Sequence, residues 1–217
     1  MIHRQTTVRI PVDNVVVEGN LTLPSDAKSI VLFAHGSGSS RFSPRNQYVA
    51  RAFNAQKIGT LLFDLLTNEE DQEDIETAEY RFNINLLARR LVGATEWLKK
   101  DPRTKNLALS YFGASTGAAA ALVAAARLPN DIAAVVSRGG RPDLAANYLP
   151  SVVAPTLLLV GGLDTEVIEL NRQAMERMSA EKKLVIIPGA THLFEEPGKL
   201  EEVAKLSVNW FLHYQTK

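Results

Sequence analysis

Hydrophobic and polar residues follow two rhythms along this chain. "TTVRIPV" and "NVVVEGNLTLP" change polarity at every second residue, with Asp13-Asn14 between them, so the pair predicts an antiparallel hairpin. "SIVLFAHG", "IGTLLFDLL", "LALSYFGAS", "IAAVVSRGG", "PTLLLVGGLD" and "KKLVIIPGA" are instead near-continuous apolar runs, as strands covered on both faces require. Between the runs, segments 44–56, 78–100, 116–128, 167–178 and 200–214 carry apolar residues at helical spacing. Strands alternating with helices imply right-handed crossovers and parallel pairing. The expectation is an α/β chain: a mainly parallel sheet of about eight strands, helices on both faces, and the hairpin as an antiparallel edge. No linker or repeat interrupts the pattern, so residues 1–217 read as a single domain.

One stretch breaks the rhythm. "TNEEDQEDIETAEYR" gathers carboxylates after the strand ending near Asp64. It reads as a solvated loop leading into a charged first helical turn, where acids favour the helix N-terminus. A lid, or a partner for nearby arginines, is the functional alternative.

Composition narrows the function classes. The 24 basic and 24 acidic residues cancel, which argues against a general electrostatic grip on nucleic acid or an anionic membrane. The absence of cysteine removes disulfides, thiolate nucleophiles and Cys-ligated metal sites. The opening "MIHRQTTVRIPVD" lacks the apolar core of a signal peptide, and "AAAALVAAA" is too short to span a bilayer. A soluble cytoplasmic protein without metal or cofactor is expected, with monomer and homodimer both open.

In a parallel sheet, ligands gather beyond the carboxyl ends of the strands. Four such ends carry polar residues: His35-Gly36-Ser37-Gly38, Gly113-Ala114-Ser115-Thr116-Gly117, Gly161-Gly162-Leu163-Asp164 and Gly189-Ala190-Thr191-His192. The second is a G-x-S-x-G sequence that follows a strand and opens a helix. That geometry lifts a serine hydroxyl clear of the sheet and aims the next backbone N–H, that of Thr116, at a developing oxyanion. A glycine-flanked turn with an ordinary serine is the plain alternative.

A serine nucleophile needs a base. Of His3, His35, His192 and His213, only His192 follows the last strand and so falls at the same sheet edge as Ser115. The imidazole needs a carboxylate to fix its tautomer. Asp164 is the best placed; Glu166 and Asp143 are the rivals. The chain order Ser115, Asp164, His192 is that of the α/β-hydrolases. The loop "FAHGSGSSR" would give the second oxyanion donor through the Ser37 backbone N–H, with His35 bracing the loop.

Taken together, "HGSGSSRFSPRN", "YFGASTGAAAAL", "VVSRGGRPDL" and "PGATHLFEEPG" make the chain resemble a compact α/β-hydrolase of the dienelactone hydrolase-like group. They also resemble the bacterial hydrolase domains found alone or fused to a phosphoribosyltransferase domain; no phosphoribosyltransferase portion is expected in this chain. The resemblance covers essentially the whole sequence and implies the α/β-hydrolase fold with a catalytic triad and oxyanion hole. Two departures limit it. Dienelactone hydrolases proper use a cysteine nucleophile and carry a glutamate on the early loop, where this chain has Ser115 and His-Gly-Ser-Gly. Dienelactone itself is therefore not the expected substrate. The segment after "IAAVVSRGG" is too short for a large cap domain, which implies an open site.

For the substrate, Arg138 ends a strand and Arg41 follows the oxyanion loop. Either guanidinium would suit a carboxylate or phosphate on the substrate; the plain alternative is a salt bridge to the acidic residues 69–74. Phe42, Phe112 and Leu193 would line an acyl site or pack in the core. The expected activity is that of a carboxylesterase-like serine hydrolase, acting on a small, conceivably anionic ester through an acyl-enzyme. The alternatives are an acyltransferase or perhydrolase with the same triad, and a non-catalytic binding protein on this fold.

Overall fold

The computed structural model describes residues 5–215. Eight strands form one sheet: β1 (Gln5–Val12), β2 (Val15–Thr22), β3 (Ser29–Ala34), β4 (Gly59–Phe63), β5 (Ala108–Ala114), β6 (Ile132–Arg138), β7 (Thr156–Gly161) and β8 (Lys182–Ile187). Their spatial order is β1-β2-β4-β3-β5-β6-β7-β8. β2 runs antiparallel to both β1 and β4, and every other pairing is parallel. From Val8 to Val12 buried and exposed residues alternate in β1, whereas β3, β4 and β7 are buried throughout, matching the two rhythms of the sequence; β8, read as covered on both faces, is instead largely open because it lies at the edge of the sheet.

Helices α1 (Pro44–Ala55) and α6 (Lys199–Tyr214) cover one face of the sheet. On that side Phe33, Phe53, Phe112 and Phe211 form a chain of tilted and edge-on ring contacts with centroids 5.0 to 5.8 Å apart. Helices α3 (Ile84–Lys100), α4 (Thr116–Arg127) and α5 (Thr165–Arg177) cover the other, with a kinked 3-10 segment at Pro142–Ser151. In α4 every residue from Thr116 to Ala125 is buried. Only side chains as small as alanine let a helix lie this close to a sheet on one side and to α3 on the other.

The acidic stretch is not a loop. Asn68–Thr77 forms a separate helix, α2, started by a full capping box: the Thr67 hydroxyl accepts from the Glu70 N–H and the Glu70 carboxylate from the Thr67 N–H. Arg90 pairs with Glu70 at 2.5 Å, and Arg81 pairs with the buried Asp74 at 2.6 Å. Asp74 also accepts the Tyr80 and Arg81 backbone N–H groups, and these bonds with Arg81 hold its carboxyl below the ordinary range against the opposing effect of burial. This tie ends α2, so residues 78–83 are a connection. α3 therefore begins at Ile84, capped by Asn83, rather than at residue 78 as the apolar spacing implied. The 3-10 segment was not foreseen either, because ten residues with an internal proline carry no clean period. Among the described residues no helix is long and apolar enough to cross a membrane. His3 lies outside the described residues.

Candidate active site

The chain leaves β5 into α4 through Ser115, whose backbone sits at φ 51°, ψ −123°. That conformation costs a non-glycine residue on the order of 1–3 kcal/mol. The flanking glycines are required sterically. A Cβ on Gly113 would lie 2.4 Å from Ala118 Cα, and one on Gly117 would lie 2.2 Å from the Ala34 carbonyl oxygen. The elbow is thus a point where β5, α4 and the end of β3 meet backbone to backbone. Ser115 is also the N-cap residue of α4, yet its side chain makes no capping bond.

Asp164 shows the same exception. It is the N-cap residue of α5 and likewise leaves the helix uncapped. By contrast Ser43, Thr67 and Asn83 all cap their helices through the side chain. A cap is worth roughly 1 kcal/mol, and the chain forgoes it at both positions. For Asp164 the partner is in place: the His192 Nδ1–H donates to its Oδ2 at 2.6 Å. The loops after β7 and β8 are laced together to hold this pair, with Gly162 N–H donating to Ile187 O at 2.8 Å and Leu163 N–H to Ala190 O at 3.0 Å. Of the rivals, Asp143 is engaged by Arg141 through two bonds of 2.9 and 2.8 Å, and Glu166 is exposed in the first turn of α5. His213 is exposed on α6, its ring edge-on to Tyr214.

Two glycines pack against Ser115 and His192. A Cβ on Gly36 would lie 3.1 Å from Ser115 Cβ, and one on Gly139 would lie 3.1 Å from the His192 carbonyl oxygen and 3.5 Å from His192 Cε1. Ser115 N–H donates to the Arg138 carbonyl at 3.2 Å, and Arg141 N–H to the Ser115 carbonyl at 3.2 Å. The ends of β3, β5, β6 and β8 therefore close around one point, with Ser115 and His192 half-buried and open to solvent. Among the described residues nothing forms a large cap over it.

Ser37 and Thr116 meet directly. Ser37 N–H donates to Thr116 Oγ1 at 3.0 Å, and the two hydroxyl oxygens are also 3.0 Å apart. The Thr116 hydroxyl, absent from the sequence reading, thus ties the early loop to the elbow. Thr116 N–H belongs to the first turn of α4, where backbone donors have no acceptor within the helix. His35 braces the same loop. Its Nε2 accepts the Leu65 N–H at 3.0 Å, so the proton sits on Nδ1, which donates to Gly36 O at 3.0 Å.

Burial lowers the pKa of His35 below its ordinary value of 6.5. The folded protein therefore holds this ring neutral while the unfolded chain binds a proton more readily. Stability from this source is complete above about pH 6.5 and is lost as pH falls below it toward the folded-state value. The melting temperature should accordingly drop between pH 7 and pH 5, and the drop should be shallower in His35→Gln; equal slopes in both proteins would remove His35 as the cause.

The arginines depart from expectation. Arg41 is a correction: its guanidinium pairs with Asp64 and, at 2.6 Å, with Glu18, neither of them in the 69–74 stretch, and stacks over Phe42 at 4.3 Å. Its backbone N–H donates to Asp64 Oδ1 at 2.8 Å as well. These bonds fasten the early loop to β2 and β4. Arg138 is buried and pairs with no acid among the described residues. Phe112 is fully buried in the aromatic cluster and lines no acyl site, whereas Phe42 and Leu193 remain exposed near the loops. A cavity of about 610 Å³ lies between α1 and the β2–β4 pair; Ser115, Asp164 and His192 do not line it. Among the described residues no three His, Asp or Glu side chains converge as metal ligands.

The strand order, the elbow and the paired loops define an α/β-hydrolase. Residues 48–212 match the dienelactone hydrolase family, and the chain belongs to that family. It is 57% identical to a dienelactone hydrolase from Anabaena variabilis, whose crystal structure superposes with a TM-score of 0.97 over 98% of this chain and 99% of that one. Est1E from Butyrivibrio proteoclasticus shares the fold at 16% identity, with a TM-score of 0.80 over 97% of this chain and 99% of that one. Two Mycobacterium tuberculosis proteins bearing the name phosphoribosyl transferase are 54% identical over 211 residues, 97% of this chain. That match covers 47% of their length, so the chain spans about half of the curated relatives it matches.

Proposed function

We propose that this hydrolase cleaves small carboxylic esters through Ser115, His192 and Asp164. The observation that carries the reading is the pair of forgone caps: Ser115 on a strained elbow, and Asp164 turned away from its own helix to His192 at 2.6 Å. Ser115 Oγ attacks the ester carbonyl as His192 Nε2 takes its proton, while the Asp164 carboxylate stabilises the imidazolium. The tetrahedral oxyanion forms against the N–H groups of Thr116 and Ser37, the latter released from the Thr116 hydroxyl as the substrate oxygen replaces it. His192 then protonates the leaving alcohol, and the acyl-enzyme is hydrolysed by water that the same imidazole deprotonates. In this reading the enzyme works in the cytoplasm without a metal or organic cofactor.

A fluorophosphonate probe tests the assignment. One adduct is expected, mapped by peptide mass spectrometry to Ser115, with labelling slowed by a competing ester. An adduct on Ser37 or Ser137 instead, or an unmodified active enzyme, would overturn it.

A further inference from the structure

The α1–α6 side of the sheet changes character toward β2. Over β3 and β5 it presents Phe33 and Phe112. Leu62 of β4 faces the same side, and the β2–β4 register sets Asn20 against Leu62 and Thr22 against Thr60, so these four share the face. They form the floor of the cavity of about 610 Å³. α1 supplies its wall through Gln47, Ala50, Arg51 and Asn54, which are the i, i+3, i+4 and i+7 positions of one helix face. Asn20 is 7% exposed and Thr22 9%, yet neither side chain makes a hydrogen bond among the described residues. Thr60, by contrast, accepts from Asn54 Nδ2 at 3.1 Å. Buried amides and hydroxyls are normally paired, and here two unpaired ones line the same space.

The charges around the cavity are of one sign. Of the described residues that line it, Arg41, Arg51 and Lys57 are charged and none is acidic. Arg41 is answered by Asp64 and Glu18. Arg51 and Lys57, both exposed, pair with no acid among the described residues. Two such cations match a phosphate monoester, whose charge is about −2 at neutral pH. The amides of Asn20 and Gln47 and the hydroxyl of Thr22 offer donors and acceptors together, which suits a molecule carrying several hydroxyl groups. Leu62, Ala50 and Ala55 leave an apolar surface for the carbon face of that molecule. The volume falls within the roughly 300–1,000 Å³ typical of small-molecule sites.

We propose that this cavity is a second small-molecule site, and that it takes a phosphorylated sugar or polyol. Arg51 and Lys57 hold the phosphate at the mouth, while Asn20, Thr22 and Gln47 hold the hydroxyl groups within. Ser115, Asp164 and His192 do not line the cavity, so the ligand is bound there without being cleaved. The site stands whether or not the ester reading does.

Calorimetric titration of the full chain with glucose 6-phosphate and with glycerol 3-phosphate reads the site directly; glucose, glycerol and inorganic phosphate serve as the unjoined halves. At least one phosphorylated compound should bind at concentrations up to about 10 mM, and roughly 10-fold or more tightly than its halves. Arg51→Met and Lys57→Met change exposed side chains, and each should weaken binding on the order of 10-fold. Asn20→Leu should weaken it comparably, while the unliganded variant melts no lower than the parent, because the amide it removes has no partner in the fold. Failure of both compounds to bind, binding no tighter than that of inorganic phosphate, binding indifferent to Arg51→Met and Lys57→Met, or a lowered melting temperature in Asn20→Leu would each overturn the site. Fluorophosphonate labelling of Ser115 should continue with the ligand saturating; blocked labelling would place the ligand at the candidate active site and overturn the cavity. Binding without any labelling at Ser115 would overturn the ester reading alone.

Discussion

Ser115→Ala should lower kcat/KM toward p-nitrophenyl esters by at least about 10⁴-fold and end fluorophosphonate labelling, while the melting temperature stays close to that of the parent. The size follows from the way a nucleophile and its base act as a unit: removing either forfeits nearly the whole covalent route, leaving only what the oxyanion donors contribute. Stability is spared because the hydroxyl makes no capping bond to α4. An alanine variant that still turns over and labels would place the nucleophile elsewhere. Activity against alcohols or peroxide as acyl acceptors, measured in the same assay, would separate hydrolysis from acyl transfer by the same residue.

Asp164→Asn should cost on the order of 10³- to 10⁴-fold in kcat with the fold intact. The amide has nearly the shape of the carboxylate but lacks its charge. It can present an NH₂ group to Nδ1, which favours the tautomer with its proton on Nε2, unable to accept from Ser115. Asp143→Asn and Glu166→Gln supply the comparison. Asp143 is held by Arg141 and Glu166 faces solvent, so each should change kcat by no more than a few-fold. A loss at either position comparable to that at Asp164 would reassign the carboxylate.

The sheet was legible in the sequence because burial on both faces leaves a compositional mark. The runs around Leu32, Leu61, Tyr111, Val135 and Leu158 have no polar face to present, and each became a strand. α2 was not legible, since its mean character is that of a solvated tract. It is held by a capping box and by arginines distant in sequence, Arg81 and Arg90, and such bonds have no periodicity to read. At the site, glycine spacing and strand ends pointed to Ser115, Asp164 and His192, of which the structure pairs the last two at 2.6 Å. The partners of arginines were harder. Arg41 reaches back to Glu18 and down to Asp64, because strand order places β2 beside β4, and no local pattern encodes that neighbourhood. Arg45 and Glu195, 150 residues apart, went unnoticed for the same reason. Ser115 and Asp164 both stand where a helix starts and neither caps it, which no sequence pattern marks.

The two uncapped helices carry a consequence for anyone improving this protein by selection for heat tolerance alone. Glycine at position 115 would relax the positive φ of the elbow without loss of a cap. Neutralising Arg138 would remove a charge that the resting fold leaves unmatched. The first of these substitutions falls on the residue proposed as the nucleophile. A library built for robustness would have to hold codon 115 fixed, or it would drift toward a sturdy, inert scaffold.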